Sequence, residues 1–519
     1  MALTRRMTRR GFFGTAATVA GVAVAGWAGG AHLLAPGRPE LILPSELPLP
    51  PRFRTPLPIP RVLDPVRRAA DADHYEITQR TAELEIVPGY RTPAWTYDGS
   101  FPGPTIVSRS GRRTVVRHRN ELPRPTVVHL HGGHTPADSD GYPMDVTVPV
   151  GHEQSATHSG HTGLRTVAHG HRDYSYPNAQ RAATLWYHDH GHGVTGYMVW
   201  QGLAGFHLIH DEEEDALGLP GGEHDIPLMI TDRAFAADGS FRYPLADPRL
   251  HTHGVTETYM NGVLGDVILV NGAPWPVLPV DATRYRFRLL NASNARRYRL
   301  ELDPPPPGGA GLVQIGSDGG LLARPLPLDR IDAAPAERFD IVVDFARYRP
   351  GTRVRLVNRL GSGPTGEIMC FEVTGPVRES PPLPGRLSSD PALDPARAVT
   401  TRDFHFQLRP DHGWTINGRP YEAGRVLARP RLGTTEIWRL VSDFRHPVHI
   451  HLDPFVVLAR NNRAPGAFDS GWKDTIDMNP AEAVEIAVRF TDHPGTYMLH
   501  CHNLEHEDMS MMADFVTGE

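Results

Sequence analysis

The sequence predicts an all-β fold of sandwiches or barrels, on three observations. It holds 51 Gly and 50 Pro, enough to punctuate the chain with turns. Runs of helical period are few. Val/Thr/Tyr-rich segments such as 113–118 (RTVVRH) and 340–344 (DIVVD) recur between turn signals, the pattern of short strands.

At 519 residues the chain exceeds one core, and at about 100 to 200 residues per domain it implies roughly three or four. Apolar residues at 40% and charged residues at 22% suit a soluble globular protein. The net charge of -6 is spread thinly, and no Lys/Arg block follows the first dozen residues, so neither nucleic acid nor an anionic membrane is an expected partner. Oligomeric state is not legible.

In chain order, the first element is an address. Thr8-Arg9-Arg10-Gly11-Phe12-Phe13 precedes a small-residue apolar run to about Gly26, with 23–25 (AVA) as a cleavage site. Residues 1–30 resemble a twin-arginine signal peptide, and the protein is expected to be exported, with no membrane contact after cleavage. An uncleaved membrane anchor is the alternative. Residues 36–69 are Pro-rich and poorly periodic, an extended linker lying along the surface.

Three strand-rich blocks follow, 70–212, 225–376 and 400–519, separated by the acidic run at 211–215 and a Pro/Ser-rich stretch at 377–397. Asp98-Gly99, Asn271-Gly272 and Asn417-Gly418 each place a turn pair after an apolar strand near the start of a block. The blocks are either copies of one sandwich or carry unrelated hairpin turns.

Histidine is distributed unevenly. Of 28, none lies between Gly254 and Phe404, so chemistry based on imidazole belongs to the first and third blocks, at their mutual face. Four His-X-His pairs sit in apolar context: His129/His131, His188/His190, His449/His451 and His500/His502. Residues i and i+2 of a strand share a face, so each pair presents two imidazoles side by side. Eight such ligands exceed the needs of one ion, and a multinuclear site is the natural reading. The pairs His169/His171, His190/His192 and His251/His253 lack a flanking apolar strand and are read as loop residues.

Cys501, between His500 and His502, projects to the opposite face, so one strand touches two metal sites. With His446, His506 and Met511 it forms a set of two imidazoles, one thiolate and a weak thioether, the ligand set of a blue-copper site. If Cys501 is a ligand, Cys370, the only other cysteine, has no disulfide partner, and stability comes from packing.

The segments 129–132 (HLHG), 186–190 (WYHDH), 446–451 (HPVHIH) and 500–511 (HCHNLEHEDMSM) together resemble the four copper motifs of the multicopper oxidases, in order and spacing along about 450 residues. The resemblance implies three cupredoxin-like β-sandwich domains and four copper ions. His446, Cys501 and His506 would hold the type 1 copper with Met511 axial. His129 and His449 would hold the type 2 copper, and His131, His188, His190, His451, His500 and His502 the type 3 pair. Residues 132–141 and 176–181 look most like those of the spore-coat laccases, bilirubin oxidases and phenoxazinone synthases.

The implied reaction is one-electron oxidation of a small phenol or aromatic amine at the type 1 copper, coupled to reduction of dioxygen to water. His446 and His506 are the expected points where electrons enter, through imidazole edges that reach solvent beside a shallow pocket. Glu507 and Asp140 are candidates for proton delivery or, alternatively, for orienting ligand imidazoles. The His-rich segment 151–172 is either a solvated loop, an extra metal site or a lid. Only 12 Met occur and none forms a Met-rich insertion near the third block, which disfavours a dedicated cuprous oxidase; Met509 and Met512 read as core. Bilirubin oxidase, aminophenol oxidase and cuprous oxidase activities are the alternatives. A nitrite reductase needs fewer histidines at its second site, and a non-catalytic copper store or scaffold needs no complete ligand set.

Overall fold

The structure, a computed structural model, describes residues 41–151, 165–244, 255, 257–378, 380–389 and 393–519. Strands dominate. The α-helices among these residues are three short ones, Thr195–Gln201, Glu212–Asp215 and Leu504–Asp508.

Each block contributes two facing sheets. Between residues 67 and 210 a five-stranded and a four-stranded sheet form, between 225 and 377 a seven- and a five-stranded sheet, and between 398 and 517 two five-stranded sheets. Alternation of polar and apolar residues sets the outer strands: Arg113–Asn120 buries Thr114, Val116, His118 and Asn120 and turns its arginines outward. Ala183–Asp189 is buried throughout. Leu185 and Tyr187 fill the first sandwich, while Trp186 and His188 face the other way, toward the interface between blocks.

The three turn pairs are equivalent. Asp98-Gly99, Asn271-Gly272 and Asn417-Gly418 all have positive φ at both positions, 56° and 81°, 50° and 82°, 52° and 75°. In each, the first residue's backbone and side chain bracket one residue of a neighbouring strand. The side-chain oxygen accepts from the amide of Thr78, Met229 or His405 at 2.8 Å. The turn amide donates back to the carbonyl of the same residue at 2.8–2.9 Å. Of the two readings left open by the sequence, this identity favours copies of one sandwich.

The described residues of the Pro-rich segment are anchored to neighbouring strands. Ile42–Leu43 pair in parallel with Leu264–Gly265, Leu57 and Thr55 exchange backbone hydrogen bonds with Val277, and Leu63 and Arg61 do so with Thr105. Leucines set among the prolines supply the N–H groups that proline lacks, and Leu43, Leu47, Leu57 and Leu63 are buried.

Two histidine expectations are corrected. His169 and His171, expected in a loop, lie on the strands Thr166–His169 and His171–Tyr176, joined through Gly170 at φ 72°. Both side chains are exposed, and the nearest buried side chain on either strand is Tyr174, three residues from His171. His251 and His253, and His152, His158 and His161 of the His-rich segment, lie outside the described residues. His192 falls in the turn before Thr195–Gln201, as expected of a loop residue. Cys370 and Cys501 are both buried and free, and Met509 and Met512 are core. No helix among the described residues is long and apolar enough to cross a membrane.

Candidate metal centre

Register brings the histidine motifs together two by two. In the first block Val128–His131 runs antiparallel to Ala183–Asp189, with His129 opposite His188 and His131 opposite Trp186. In the third, His446–Ile450 runs antiparallel to Gly495–Cys501, with His449 opposite His500 and Val448 opposite Cys501. The two ribbons meet face to face. His131 stacks on His449 with ring centroids 3.7 Å apart, and His129 on His451 at 4.0 Å.

Within this face the ring nitrogens sort into tight groups. His131, His188 and His502 form one and His190, His451 and His500 another, each with ligand atoms within 4.8 Å of one another. His129 and His449 remain, grouped with His131. The members of the pairs His188/His190, His449/His451 and His500/His502 thus divide between these groups, while His129 and His131 also share one.

The imidazoles are anchored on one side and open on the other. Nδ1 of His129, His188 and His449 donates to the carbonyl of Asp140, Asp189 and Asp474 at 2.5, 2.8 and 2.9 Å. The opposite Nε2 of all three is buried without a protein partner. A buried ring nitrogen left so is costly unless a cation takes it. Burial, reinforced by the neighbouring imidazoles, holds His129, His131, His449, His451 and His502 well below the usual histidine range, His188 down to about 3 and His190 to about 4. Neutral rings are the form that binds metal.

On the far side of the same strand, Cys501 Sγ lies 3.4 Å from His446 Nδ1 and 3.6 Å from His506 Nδ1, and those two nitrogens are 3.2 Å apart. His446 turns its Nε2 to Asp443 at 3.4 Å and His506 its Nε2 to Asn503 at 3.4 Å, which aims both Nδ1 atoms at the sulfur. Asn503 caps the helix Leu504–Asp508 that carries His506, and its amide N–H points at Cys501 Sγ. Met511 is buried and held by its backbone between these residues: its amide donates to His506 and its carbonyl accepts from Cys501, at 3.0 and 3.1 Å. Burial, more than any other cause, pushes the Cys501 thiol up, and a bound cation would favour the thiolate.

Comparison with known proteins agrees. Two family profiles, both described as multicopper oxidase, match residues 78–214 and 391–519. A laccase of Bacillus stratosphericus is 38% identical, over 89% of this chain and 98% of its own length. A bilirubin oxidase of Albifimbria verrucaria is 35% identical, over 90% of this chain and 81% of its own. The crystal structure of a multi-copper oxidase from Pediococcus acidilactici superposes with a TM-score of 0.78 at 32% identity, covering 93% of this chain and 94% of that one. The chain belongs to the multicopper oxidases.

This multicopper oxidase is therefore a copper-dependent, laccase-like oxidoreductase with dioxygen as acceptor, built from cupredoxin-like β-sandwiches. Its donor set fits copper: neutral imidazoles with open nitrogens, and a buried cysteine between two more.

Both predicted acids touch the histidine cluster. Asp140 accepts from His451 Nδ1 at 2.7 Å through its carboxylate and from His129 through its carbonyl. Glu507 Oε2 is 3.0 Å from His500 Nδ1, and its Oε1 accepts from Thr195 at 2.7 Å. The expectation that His446 and His506 reach solvent is corrected. His446 is fully buried and His506 only 3% exposed, because Trp414 stacks on the His506 ring and Asn503 ties down the carbonyl of Asn261 beside it.

Sequence reasoning missed Trp414, Thr195, Asp474 and Thr475. Asp474 Oδ1 and Thr475 Oγ1 lie 3.0 and 3.1 Å from His131 Nε2. None carries a motif of its own; Trp414, Asp474 and Thr475 are marked only by contact with a motif imidazole, and Thr195 only by its bond to Glu507.

Proposed function

We propose that this oxidase carries four coppers: a type 1 ion on His446, Cys501 and His506 with Met511 axial, a type 2 ion on His129 and His449, and a type 3 pair. His131, His188 and His502 would hold one type 3 ion and His190, His451 and His500 the other. The observation that carries this reading is the sorting of the buried ring nitrogens into groups of three, those of His129, His131, His188, His449 and His502 without a protein partner, with the set of one cysteine and two histidines one residue away along the strand.

Bound copper supplies one-electron oxidation of the donor beside Cys501 and four-electron reduction of dioxygen to water among the histidines. Cys501 joins the two places, since its Sγ faces His446 and His506 while its backbone continues directly into His500 and His502. Trp414 covers His506 beside the type 1 position. Glu507, between His500 and Thr195, is placed to hold and pass protons, and Asp140 to do so while orienting His451.

The donor is read as a small phenol or aromatic amine. Met509 and Met512 lie in the core rather than lining a thioether path for cuprous ion, which supports an organic donor. The 35% identical relative named bilirubin oxidase keeps bilirubin among the donors to be tried. Residues 1–30 are read as a twin-arginine signal for export, and 70–212, 225–376 and 400–519 as the three domains.

Copper analysis with oxygen uptake tests the reading. Four coppers per chain and rapid uptake with phenols or aromatic amines are expected, slower uptake with cuprous ion. Fewer coppers, or no uptake with any aromatic donor, would overturn it.

A further inference from the structure

The histidine-free middle block places one guanidinium against the cluster. Arg338 opens the strand Arg338–Asp344 and is fully buried. Its Nη1 donates to Asp474 Oδ1 at 2.7 Å and its Nη2 to Asp474 Oδ2, a forked pair. Its Nε donates to the Thr184 carbonyl of the first block at 3.0 Å. One side chain of the second block therefore grips both of the others.

Further charge stands behind it. Asp318 accepts from the Arg338 amide at 2.8 Å and lies 3.1 Å from Lys473 Nζ, which meets Glu337 at 3.0 Å. Burying such a group of charges is expensive, and an apolar core of equal volume would be at least as stable. Packing alone gives no reason for it.

Asp474 is where the network reaches the imidazoles. Its Oδ1 accepts from His131 Nε2 and its carbonyl from His449 Nδ1, one ring from each block. That leaves His131 Nδ1 and His449 Nε2 as the open nitrogens of the stacked pair. Space is reserved for the contact: a Cβ on Gly132, whose φ is +84°, would fall 2.6 Å from Arg338 Nη2 and 2.8 Å from Asp474 Oδ2.

We propose that Arg338 is a positioning residue for the histidine cluster. It fixes the carboxylate of Asp474, and through it the tautomer and tilt of His131 and His449. The inference rests on the proposed role of His129, His131 and His449 as copper ligands.

The test uses the copper-loaded full chain as parent, Arg338→Met, Arg338→Lys and Gly132→Ala. Three quantities are read: copper per chain, the blue absorption of thiolate-bound copper at Cys501, and the EPR signal of non-blue copper. All variants are expected to keep the blue absorption. Arg338→Met and Gly132→Ala should bind non-blue copper about 10- to 100-fold more weakly, with an altered EPR signal, the usual effect of losing a partner of a ligand histidine. Arg338→Lys, which keeps the charge but not the fork, should fall between. Arg338→Met with parental copper content and an unaltered non-blue signal would overturn the inference. A parent that lacks the non-blue signal would instead overturn the ligand assignment. Should Arg338→Met fail to fold, Gly132→Ala, which keeps every charge, decides by the same readings.

Discussion

Trp414 lies over His506 with ring centroids 3.9 Å apart and planes 29° from parallel, and both side chains are buried. The indole also meets His446 edge-on, centroids 5.4 Å apart. It shields both imidazoles from water, which would otherwise favour the more highly charged, oxidised ion. Trp414→Ala should lower the type 1 reduction potential and destabilise the fold by about 3–5 kcal/mol, the usual cost of emptying a buried tryptophan site. Trp414→Phe should retain most of both. Redox titration at the blue absorption band and denaturant unfolding check the two effects, and an unchanged potential in Trp414→Ala would refute the shielding argument.

Glu507, if it delivers protons as proposed, should affect reduction of oxygen and not that of the copper at Cys501. Its carboxylate sits between His500 Nδ1 and Thr195 Oγ1. Glu507→Gln keeps the shape but cannot deliver protons as a carboxyl does. Oxygen uptake should fall by about 100-fold or more, while stopped-flow bleaching of the blue band by an aromatic donor proceeds at the parental rate. Unchanged oxygen consumption would count against the role.

Cys501 tests the link between the two positions. Cys501→Ser removes the sulfur that lies 3.4 and 3.6 Å from the two Nδ1 atoms but leaves His500 and His502 in the same strand. The expected product has no blue band, one copper fewer and no oxygen uptake with an aromatic donor, yet retains non-blue copper by EPR. Retained uptake would show that electrons reach the histidine cluster by another path.

His134 clamps the first block to the third. Its Nδ1 lies 3.2 Å from Asp453 and its Nε2 2.8 Å from Asp492. Burial disfavours the imidazolium, but the bond and charge of Asp453, with those of Asp492, outweigh it and raise its pKa above the ordinary 6.5. A raised folded-state value means that the clamp stabilises fully below 6.5 and is lost as pH climbs through the raised value. Unfolding midpoints should therefore fall with rising pH above neutrality more steeply in the parent than in His134→Gln. Parallel profiles for the two proteins would exclude the clamp.

The histidine pairs are legible in the sequence because strand geometry translates spacing directly into a shared face. His129 and His131 need only the two-residue period of Val128–His131 to stand together. Cys501 is legible for the complementary reason, since an odd position in the same strand must face away. Partnership between motifs is not legible, because register between strands far apart in the chain sets it. His131 joins His188 and His502, and His190 joins His451 and His500, across separations that no local pattern encodes.

The turn pairs show the same boundary at the level of the fold. Asp98-Gly99, Asn271-Gly272 and Asn417-Gly418 can be read as turns from residue type alone, whereas their equivalence rests on bonds to Thr78, Met229 and His405 in other strands.

By itself, the sequence determined the strand character of the chain, the candidate ligand residues and their concentration in the first and third blocks, because each follows from residue type and short-range spacing. Tertiary structure alone decided that the middle block reaches the cluster, that Trp414 covers His506, and which imidazoles share a position. A salt bridge such as Arg338–Asp474, 136 residues apart, costs more to bury than it returns unless several elements converge on it, and nothing in a linear pattern records that convergence.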